Sequence, residues 1–248
     1  MYEEIKGVLF DLDGTVYYGD KLIDGADKVI NRFKEQGKTV LFMTNNSAKS
    51  KERIYEKLIG MGIKCKTEDV YTSGYAAVYY SKLKGYDNVY VFGTDELREE
   101  FLKHGIRHSE QADIIVVGFD TEFNYEKLTM ALEAALNAKY IIACNLEKNY
   151  PGNNAKRMPG CGAMVGALEG ALGRKADYIV GKPSPLLLDI ICREQGFAKN
   201  ELLVIGDTFS SDIEMADKYG CKSIYIGNEQ HKNTTTVSKI REILNLLD

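Results

Sequence analysis

The feature that most restricts the fold of this chain is a repeated alternation of short apolar runs with longer amphipathic stretches. The runs are rich in Val, Ile, Leu, Phe and Tyr, and they are GVLFDL, TVLFMT, NVYVFG, DIIVVGF, YIIACN, YIVGK, LLVIGD and SIYIG. Continuous apolar strands that alternate with helices are typical of a parallel sheet covered on both faces. The alternation therefore predicts an α/β fold. The predicted helices between the strands include 27–36, 51–61, 125–138, 185–194 and 213–219.

The spacing of the runs predicts a second domain inserted into the first. The stretch from Asp11 to Thr44 leaves room for one helix and a hairpin, whereas the stretch from Thr44 to Lys182 is far longer than one crossover needs. This surplus contains strands and helices of its own. The predicted domains are a Rossmann-like, three-layer parallel-sheet core at residues 1–75 and 177–248, and a smaller inserted α/β cap domain at residues 76–176.

Composition limits the environment and the partners that we expect. The 248 residues carry a formal net charge of −4, which gives no general attraction to nucleic acid or to an anionic membrane. The five cysteines are widely spaced and include no CxxC pair, so reduced thiols are a better interpretation than disulfides or a zinc site. The N-terminal apolar run is too short for a signal peptide. No apolar stretch approaches the ~20 residues that span a bilayer, and we expect a cytoplasmic protein.

Charged and polar side chains follow four of the predicted strands at the point where each strand ends. Asp11 and Asp13 follow the first run, Thr44 ends the second, Lys182 ends YIVGK and Asp207 ends LLVIGD. Ligands of open α/β sheets bind outside the carboxyl ends of the strands. If these four strands are neighbours, the side chains converge on one edge of the sheet.

The segment Asp11-Leu12-Asp13-Gly14-Thr15 is the sharpest local signal. Two carboxylates held so close repel each other unless a cation or a shared proton compensates. Mg²⁺ prefers oxygen ligands and takes only a few of them from the protein, so Asp11, Asp13 and Asp207 predict a Mg²⁺ site. Asp212 opens the next helix, and we interpret it equally as a cap of that helix or as a residue that orients a ligand.

Two further motifs are compatible with binding of a phosphate group. Thr44-Asn45-Asn46-Ser47 is either a plain turn before a helix or a source of hydroxyl and backbone N–H donors for phosphate. Lys182 is either a surface cation with a buried stem or a group that neutralises charge and holds a phosphate oxygen. Thr44 alone is weak evidence, but the four motifs together, in chain order at four strand ends, favour the functional interpretation.

In chain order, these motifs resemble those of the haloacid-dehalogenase superfamily of phosphatases. The matching residues are Asp11, Asp13, Gly14, Thr15, Thr44, Lys182, Asp207 and Asp212. The long insert resembles the C2-type cap of class IIA, and the strings TNNS, GFDTEFNYEKL, PGCG and GKPSP resemble its NagD / p-nitrophenylphosphatase branch. One departure is that many relatives carry Asn-Pro-Asp where this chain has Asn145-Leu146-Glu147.

The resemblance implies a role for each acidic residue of the core. Asp11 would be the nucleophile and a metal ligand. Asp13 would be the general acid and base, with its backbone carbonyl on the metal, and Asp207 would bind Mg²⁺. The implied activity is hydrolysis of small phosphate monoesters, such as sugar phosphates, nucleotides or p-nitrophenyl phosphate, through an aspartyl phosphate.

The resemblance also implies the groups that bind substrate, a small phosphorylated metabolite. Thr44 and the Asn45 backbone would bind the phosphate, and Lys182 would orient both Asp11 and the phosphate. The candidate specificity residues of the cap are Asn145, Glu147, Lys156 and Arg157. An exposed cap face could also support a homodimer.

Rival functions use much of the same chemistry. A phosphotransferase or mutase shares the aspartyl phosphate, and only the access of water separates it from a phosphatase. A phospho-accepting receiver domain is much shorter and leaves the insert unexplained. A metabolite-binding protein without activity needs neither Asp11 nor Asp13, and a dehalogenase does not need Asp13 as an acid for the leaving group. The sequence favours the phosphatase, and the alternatives are a phosphotransferase or mutase and a phospho-accepting signalling protein.

Overall fold

The computed structural model describes residues 2–151 and 156–247 and confirms the α/β class. Its strands are β1 (Gly7–Asp11), β2 (Tyr17–Tyr18), β3 (Lys21–Leu22), β4 (Thr39–Thr44), β5 (Val70–Thr72), β6 (Asn88–Phe92), β7 (Arg107–His108), β8 (Ile114–Val117), β9 (Tyr140–Ala143), β10 (Asn149–Pro151), β11 (Arg157–Pro159), β12 (Tyr178–Ile179), β13 (Leu202–Gly206), β14 (Lys222–Ile226) and β15 (Thr235–Val237). Its α-helices are α1 (Ala26–Glu35), α2 (Lys51–Gly60), α3 (Ser73–Leu83), α4 (Asp95–Lys103), α5 (Tyr125–Leu136), α6 (Cys161–Leu172), α7 (Leu186–Gln195) and α8 (Glu214–Tyr219). Every predicted apolar run contains a strand, and every predicted helix is present.

The chain separates into two compact units. The first unit comprises the chain up to Thr44, the piece Lys51–Tyr71 and the chain from Lys182 onward, and the second comprises Asn45–Ser50 and Thr72–Gly181. The domain boundaries predicted at 75/76 and 176/177 lie within a few residues of two of these divisions. The assignment of Asn45–Ser50 to the second unit is a feature that the sequence analysis did not anticipate. The role of residues 76–176 as a cap stays a prediction.

The sheet of the first unit has the strand order β15-β14-β13-β1-β4-β5. β1 pairs in parallel with β13 on one side and with β4 on the other. The strands that lead into Asp11, Thr44 and Asp207 are therefore neighbours, which meets the condition for their side chains to converge on one edge of the sheet. Between β1 and β4 the chain forms the antiparallel hairpin β2–β3 and the helix α1, which also agrees with the prediction.

The core of the first unit is built on both faces of this sheet. Phe10 of β1 lies on one face, where its ring centroid is 6.1 Å from that of Phe33 in α1 and 6.3 Å from that of Phe42 in β4. Leu9 points to the other face and is also fully buried. Both faces of the central strand are therefore covered, which is the three-layer arrangement that an uninterrupted apolar run favours.

The second unit has its own parallel sheet, with the strand order β12-β9-β8-β6-β7. The interpretation of YIVGK as a strand of the core sheet is wrong, because Tyr178–Ile179 pairs with β9 in this second sheet. The strand is also shorter than predicted, and Lys182 lies in the turn between β12 and α7. Its short length follows from Gly181 and Pro183, which do not favour strand structure.

The α-helices are short relative to a bilayer. The longest in the described part of the chain, α5 and α6, have 12 residues each, whereas about 20 apolar residues are needed to cross the hydrocarbon core. Over residues 2–151 and 156–247, no helix combines the length and the apolar character of a membrane span.

Replacement of Phe10 by alanine tests the packing of the first unit. We expect Phe10→Ala to lower the free energy of unfolding by about 3–5 kcal/mol, because it leaves a cavity between α1 and β4. Ile59→Ala is the control, since Ile59 is 44% exposed on α2 of the same unit and its truncation is expected to change stability by about 0.5 kcal/mol or less. Urea-induced unfolding followed by circular dichroism measures both values. Equal losses in the two variants would contradict the assigned core.

Candidate active site

The carboxyl ends of three adjacent strands bring polar side chains to one edge of the first sheet. Asp11 is the last residue of β1 and lies beside Met43 of β4 in the hydrogen-bonding register. Thr44 therefore lies one residue further along β4 than the residue that pairs with Asp11. Asp207 directly follows β13, on the other side of β1. Asp11 and Thr44 are buried, and Asp207 is half-buried.

Lys182 contacts two carboxylates of this edge. Its Nζ donates to Oδ1 of Asp11 and to Oδ1 of Asp212, the latter at 2.6 Å. All three side chains are buried. The sequence analysis placed Lys182 at the end of a core strand, and the structure instead brings it to Asp11 from the turn that precedes α7.

Asp212 is more central than the sequence analysis anticipated. It belongs to the π-helical turn Phe209–Ile213, and its Oδ2 accepts a hydrogen bond from the backbone N–H of Thr208 at 3.1 Å. Gly206 makes this position accessible, because a Cβ on Gly206 would overlap the Asp212 side chain. Asp212 thus closes its own turn and contacts Lys182 at the same time, whereas the N-termini of that turn and of α8 have no side-chain cap.

Asp207 is packed against the turn that follows β1. Its Oδ1 accepts from Oγ1 of Thr15 at 3.3 Å. Gly14 has a positive φ of 96°, and a Cβ at that position would overlap the Asp207 carboxylate. Glycine is therefore required at position 14 both by its backbone conformation and by the close approach of Asp207.

The electrostatics of this cluster are dominated by burial and by excess negative charge. Burial raises the pKa of the Asp11 carboxyl, against the opposing effect of Lys182, and the charges of Asp212 and Asp207 raise it further. Burial and the neighbouring Asp212 raise the pKa of Asp207 to about 6. Burial acts to lower the pKa of Lys182, but Asp11 and Asp212 outweigh it and the pKa is raised. The ammonium group therefore stays charged.

The donor set fits a hard divalent cation. Oxygens of Asp11, Asp207 and Asp212 lie within 4.8 Å of one another. Lys182 supplies one positive charge against three carboxylates, and buried charges are stable only when they are paired or bound to a metal. Carboxylate oxygens are the ligands that Mg²⁺ and similar ions prefer. The carboxylates in this group differ from the predicted set, because Asp212 is present and the carboxylate of Asp13 is not.

Asp13 lies beyond the end of β1 with an exposed side chain. Its Oδ2 is 3.5 Å from the hydroxyl of Tyr17, a residue that is buried and whose ring lies under the ammonium of Lys57 at 3.8 Å. The N–H of Gly14 donates to the carbonyl of Tyr17 at 2.8 Å, which closes the turn that carries Asp13. The carboxyl of Asp13 is thus fixed at its base and open to solvent.

Asn45 follows Thr44 directly but belongs to the second unit. Its side-chain Nδ2 donates to Oε1 of Glu147 at 2.9 Å, and its carbonyl accepts from Nδ2 of Asn145 at 2.6 Å. Asn145 is buried, whereas Glu147 and the remaining cap candidates Lys156 and Arg157 are exposed. The structure therefore brings two of the four cap candidates into contact with Asn45.

The sequence analysis gave no role to Gly206 and an undecided one to Asp212. The signal for Asp212 was its spacing from Asp207, which fits one wide turn between a strand end and a helix. Nothing in the local pattern distinguishes Gly206 from other glycines that end strands. Glycine is required at position 206 because the side chain of Asp212, six residues further along the chain, packs against it.

Comparison with known proteins identifies the family of the chain. The family model for haloacid dehalogenase-like hydrolases matches residues 8–107, and a HAD-hydrolase-like model matches residues 179–245. The sugar-phosphatase AraL of Bacillus subtilis is 33% identical over 224 residues, which cover 89% of this chain and 82% of that protein. The acid sugar phosphatase of Staphylococcus aureus is 32% identical over 246 residues, which cover 98% of this chain and 92% of that protein.

Solved structures agree with the sequence comparisons. The crystal structure of a 4-nitrophenylphosphatase from Thermotoga maritima matches with a TM-score of 0.92 and 28% sequence identity, over 100% of this chain and 99% of that one. The sequence comparison and the structure comparison thus both lead to phosphatases. The chain belongs to the haloacid dehalogenase-like hydrolase family, in the NagD / p-nitrophenylphosphatase branch that its motifs predict.

Proposed function

We propose that this chain is a Mg²⁺-dependent phosphatase that hydrolyses small phosphate monoesters through an aspartyl phosphate on Asp11. The observation that carries the proposal is the buried contact of Lys182 with Asp11 at the end of β1, beside two further carboxylates. A buried carboxyl group that contacts a lysine and lies among other carboxylates is more typical of a functional site than of a purely structural one.

Asp11 is the proposed nucleophile. An oxygen of its carboxylate attacks the phosphorus atom, the bond from phosphorus to the leaving oxygen breaks, and an acyl phosphate forms. Water then attacks the same phosphorus atom, which releases inorganic phosphate and restores the carboxylate. Lys182 orients Asp11 for the first step, because its ammonium is fixed between Asp11 and Asp212.

Asp13 is the proposed general acid and base. Its carboxyl is exposed, so it can exchange a proton with substrate and with solvent. In the first step it gives its proton to the leaving oxygen, and in the second the resulting carboxylate takes a proton from the attacking water. The separation of roles follows from the two environments, since the Asp11 side chain is buried and the Asp13 side chain is exposed.

The proposed metal ligands are Asp11, Asp207 and Asp13, the last through its backbone carbonyl, and Asp212 lies with its carboxylate in the same group. When bound, a divalent cation there would bear part of the negative charge of the phosphate oxygens. Thr15 holds Asp207 toward the group by its hydrogen bond. Thr44 and the Asn45 backbone are proposed to bind the phosphate from the other side of β1.

The proposed substrate is a small phosphorylated metabolite. Two relatives are named as phosphatases of sugar phosphates and one as a phosphatase of 4-nitrophenyl phosphate, which supports phosphate monoesters with small leaving groups. p-Nitrophenyl phosphate is therefore the probe for the experiments that follow.

Asp11→Asn tests the nucleophile. We expect turnover of p-nitrophenyl phosphate with Mg²⁺ to fall about a thousandfold or more, because an amide oxygen cannot form the acyl phosphate. EDTA should abolish turnover of the unmodified protein. Asp24→Asn is the control, since Asp24 is an exposed acid paired with Arg241 and should leave turnover unchanged. Full activity in Asp11→Asn would remove the proposed mechanism.

Gly14→Ala tests the placement of Asp207. Gly37 is a matched control, because it also has a positive φ but a Cβ there meets nothing within 4 Å. Both variants should lose about 1 kcal/mol of stability from the backbone conformation. Only Gly14→Ala should also displace Asp207, and we expect it to weaken Mg²⁺ binding by calorimetry and to lower kcat/KM at least tenfold. Equal behaviour of the two variants would contradict a role for Asp207.

A further inference from the structure

The segment Asn45–Ser50 lies across the carboxyl ends of the strands of the second sheet. Residues that lie two positions after the ends of β9, β8 and β6 each donate one hydrogen bond to it. The three bonds run from Asn145 Nδ2 to Asn45 O (2.6 Å), from Phe119 N to Ser47 Oγ (2.8 Å) and from Thr94 Oγ1 to Ala48 O (3.0 Å). The sheet edge at which α/β proteins ordinarily bind ligands is therefore occupied here by the chain itself.

The backbone carbonyl of Asn45 is held by two buried donors. It accepts hydrogen bonds from Oγ of Ser73 at 2.7 Å and from Nδ2 of Asn145 at 2.6 Å. Two donors use both lone pairs of a carbonyl oxygen and fix its direction. Ser73 and Asn145 are 0% and 1% exposed, so water does not compete for the acceptor.

The side chain of Asn45 is held as well as its backbone. Its Nδ2 donates to Glu147, and its Oδ1 packs against Gly181, where a Cβ would come within 2.5 Å of that oxygen. Asn145 in turn accepts from the N–H of Glu147 through its Oδ1 at 3.0 Å. Both the backbone and the side chain of Asn45 are thus restrained by other residues of the second unit.

We propose that Ser73 and Asn145 are positioning residues for the phosphatase reaction. The proposal rests on the proposed function, in which Thr44 and Asn45 bind the phosphate. A peptide group is planar, so a fixed Asn45 carbonyl fixes the plane of the peptide that joins Asn45 to Asn46 and anchors the Asn45 backbone next to Thr44. Small displacements of a binding group are costly for catalysis, which gives this restraint its effect on rate. Neither residue needs to touch the substrate.

Ser73→Ala tests the first of the two donors. Ser81→Ala is the matched control, because both serines are fully buried in α3 and each donates to a carbonyl, that of Asn45 for Ser73 and that of Ala77 for Ser81 at 2.8 Å. We expect Ser73→Ala to lower kcat/KM for p-nitrophenyl phosphate roughly tenfold and to raise the inhibition constant of inorganic phosphate, as the loss of one hydrogen bond would do. Ser81→Ala should leave both constants unchanged.

Asn145→Asp tests the second donor even if Ser73→Ala does not fold. A carboxylate at position 145 cannot donate to the Asn45 carbonyl, but a protonated carboxyl can. The activity of Asn145→Asp relative to the unmodified protein should therefore rise as the pH falls and drop as the carboxyl ionises. Asn145→Ala has no proton to give, so its relative activity should stay low at every pH.

The results distinguish a failure of the positioning role from a failure of the proposed phosphatase function. Equal kinetic constants for Ser73→Ala and Ser81→Ala, or the same pH dependence for Asn145→Asp and Asn145→Ala, would overturn the positioning role. If Asp11→Asn is inactive in the same assay, the proposed function survives that result. If Asp11→Asn keeps its turnover, the proposed function fails first.

Discussion

The site depends on one buried contact, the ammonium of Lys182 between the carboxylates of Asp11 and Asp212. A charge taken out of water is stable only beside an opposite charge, and removal of one partner leaves the others unpaired. The contact therefore ties the end of β1, the turn before α7 and the π-helical turn after β13 into one arrangement. Gly206 permits it, because a larger residue would displace Asp212.

The same contact explains why the site is suited to phosphate chemistry. One ammonium group does not neutralise three neighbouring carboxylates, so the cluster keeps a net negative charge that a cation can neutralise. A divalent cation would neutralise that charge and, in the proposed mechanism, would also attract an anionic substrate toward the carboxylate of Asp11. Asp13 lies outside the buried group, and its exposure suits it to proton exchange, whereas the burial of Asp11 suits it to a fixed position.

Much of this arrangement was predictable, because parallel strands place their carboxyl ends at one edge. Asp11, Thr44 and Asp207 follow directly from that rule. Lys182 reaches the same place from the turn that follows β12, a strand of the second sheet, and no local pattern indicates which sheet a short strand joins. The docking of Asn45–Ser50 onto the second sheet was also not predictable. It depends on hydrogen bonds to side chains such as Asn145, about a hundred residues away, and sequence periodicity carries no information on such pairs.

The most direct measurement of the central claim is to trap the covalent intermediate. The protein would be mixed with a phosphate monoester and Mg²⁺, quenched in acid during turnover and digested, and the position of the phosphoryl group would be determined by mass spectrometry. We predict a phosphoryl group on Asp11 that appears and decays at rates compatible with turnover. A phosphoryl group on another residue, or active turnover with none on Asp11 at any time, would contradict the account.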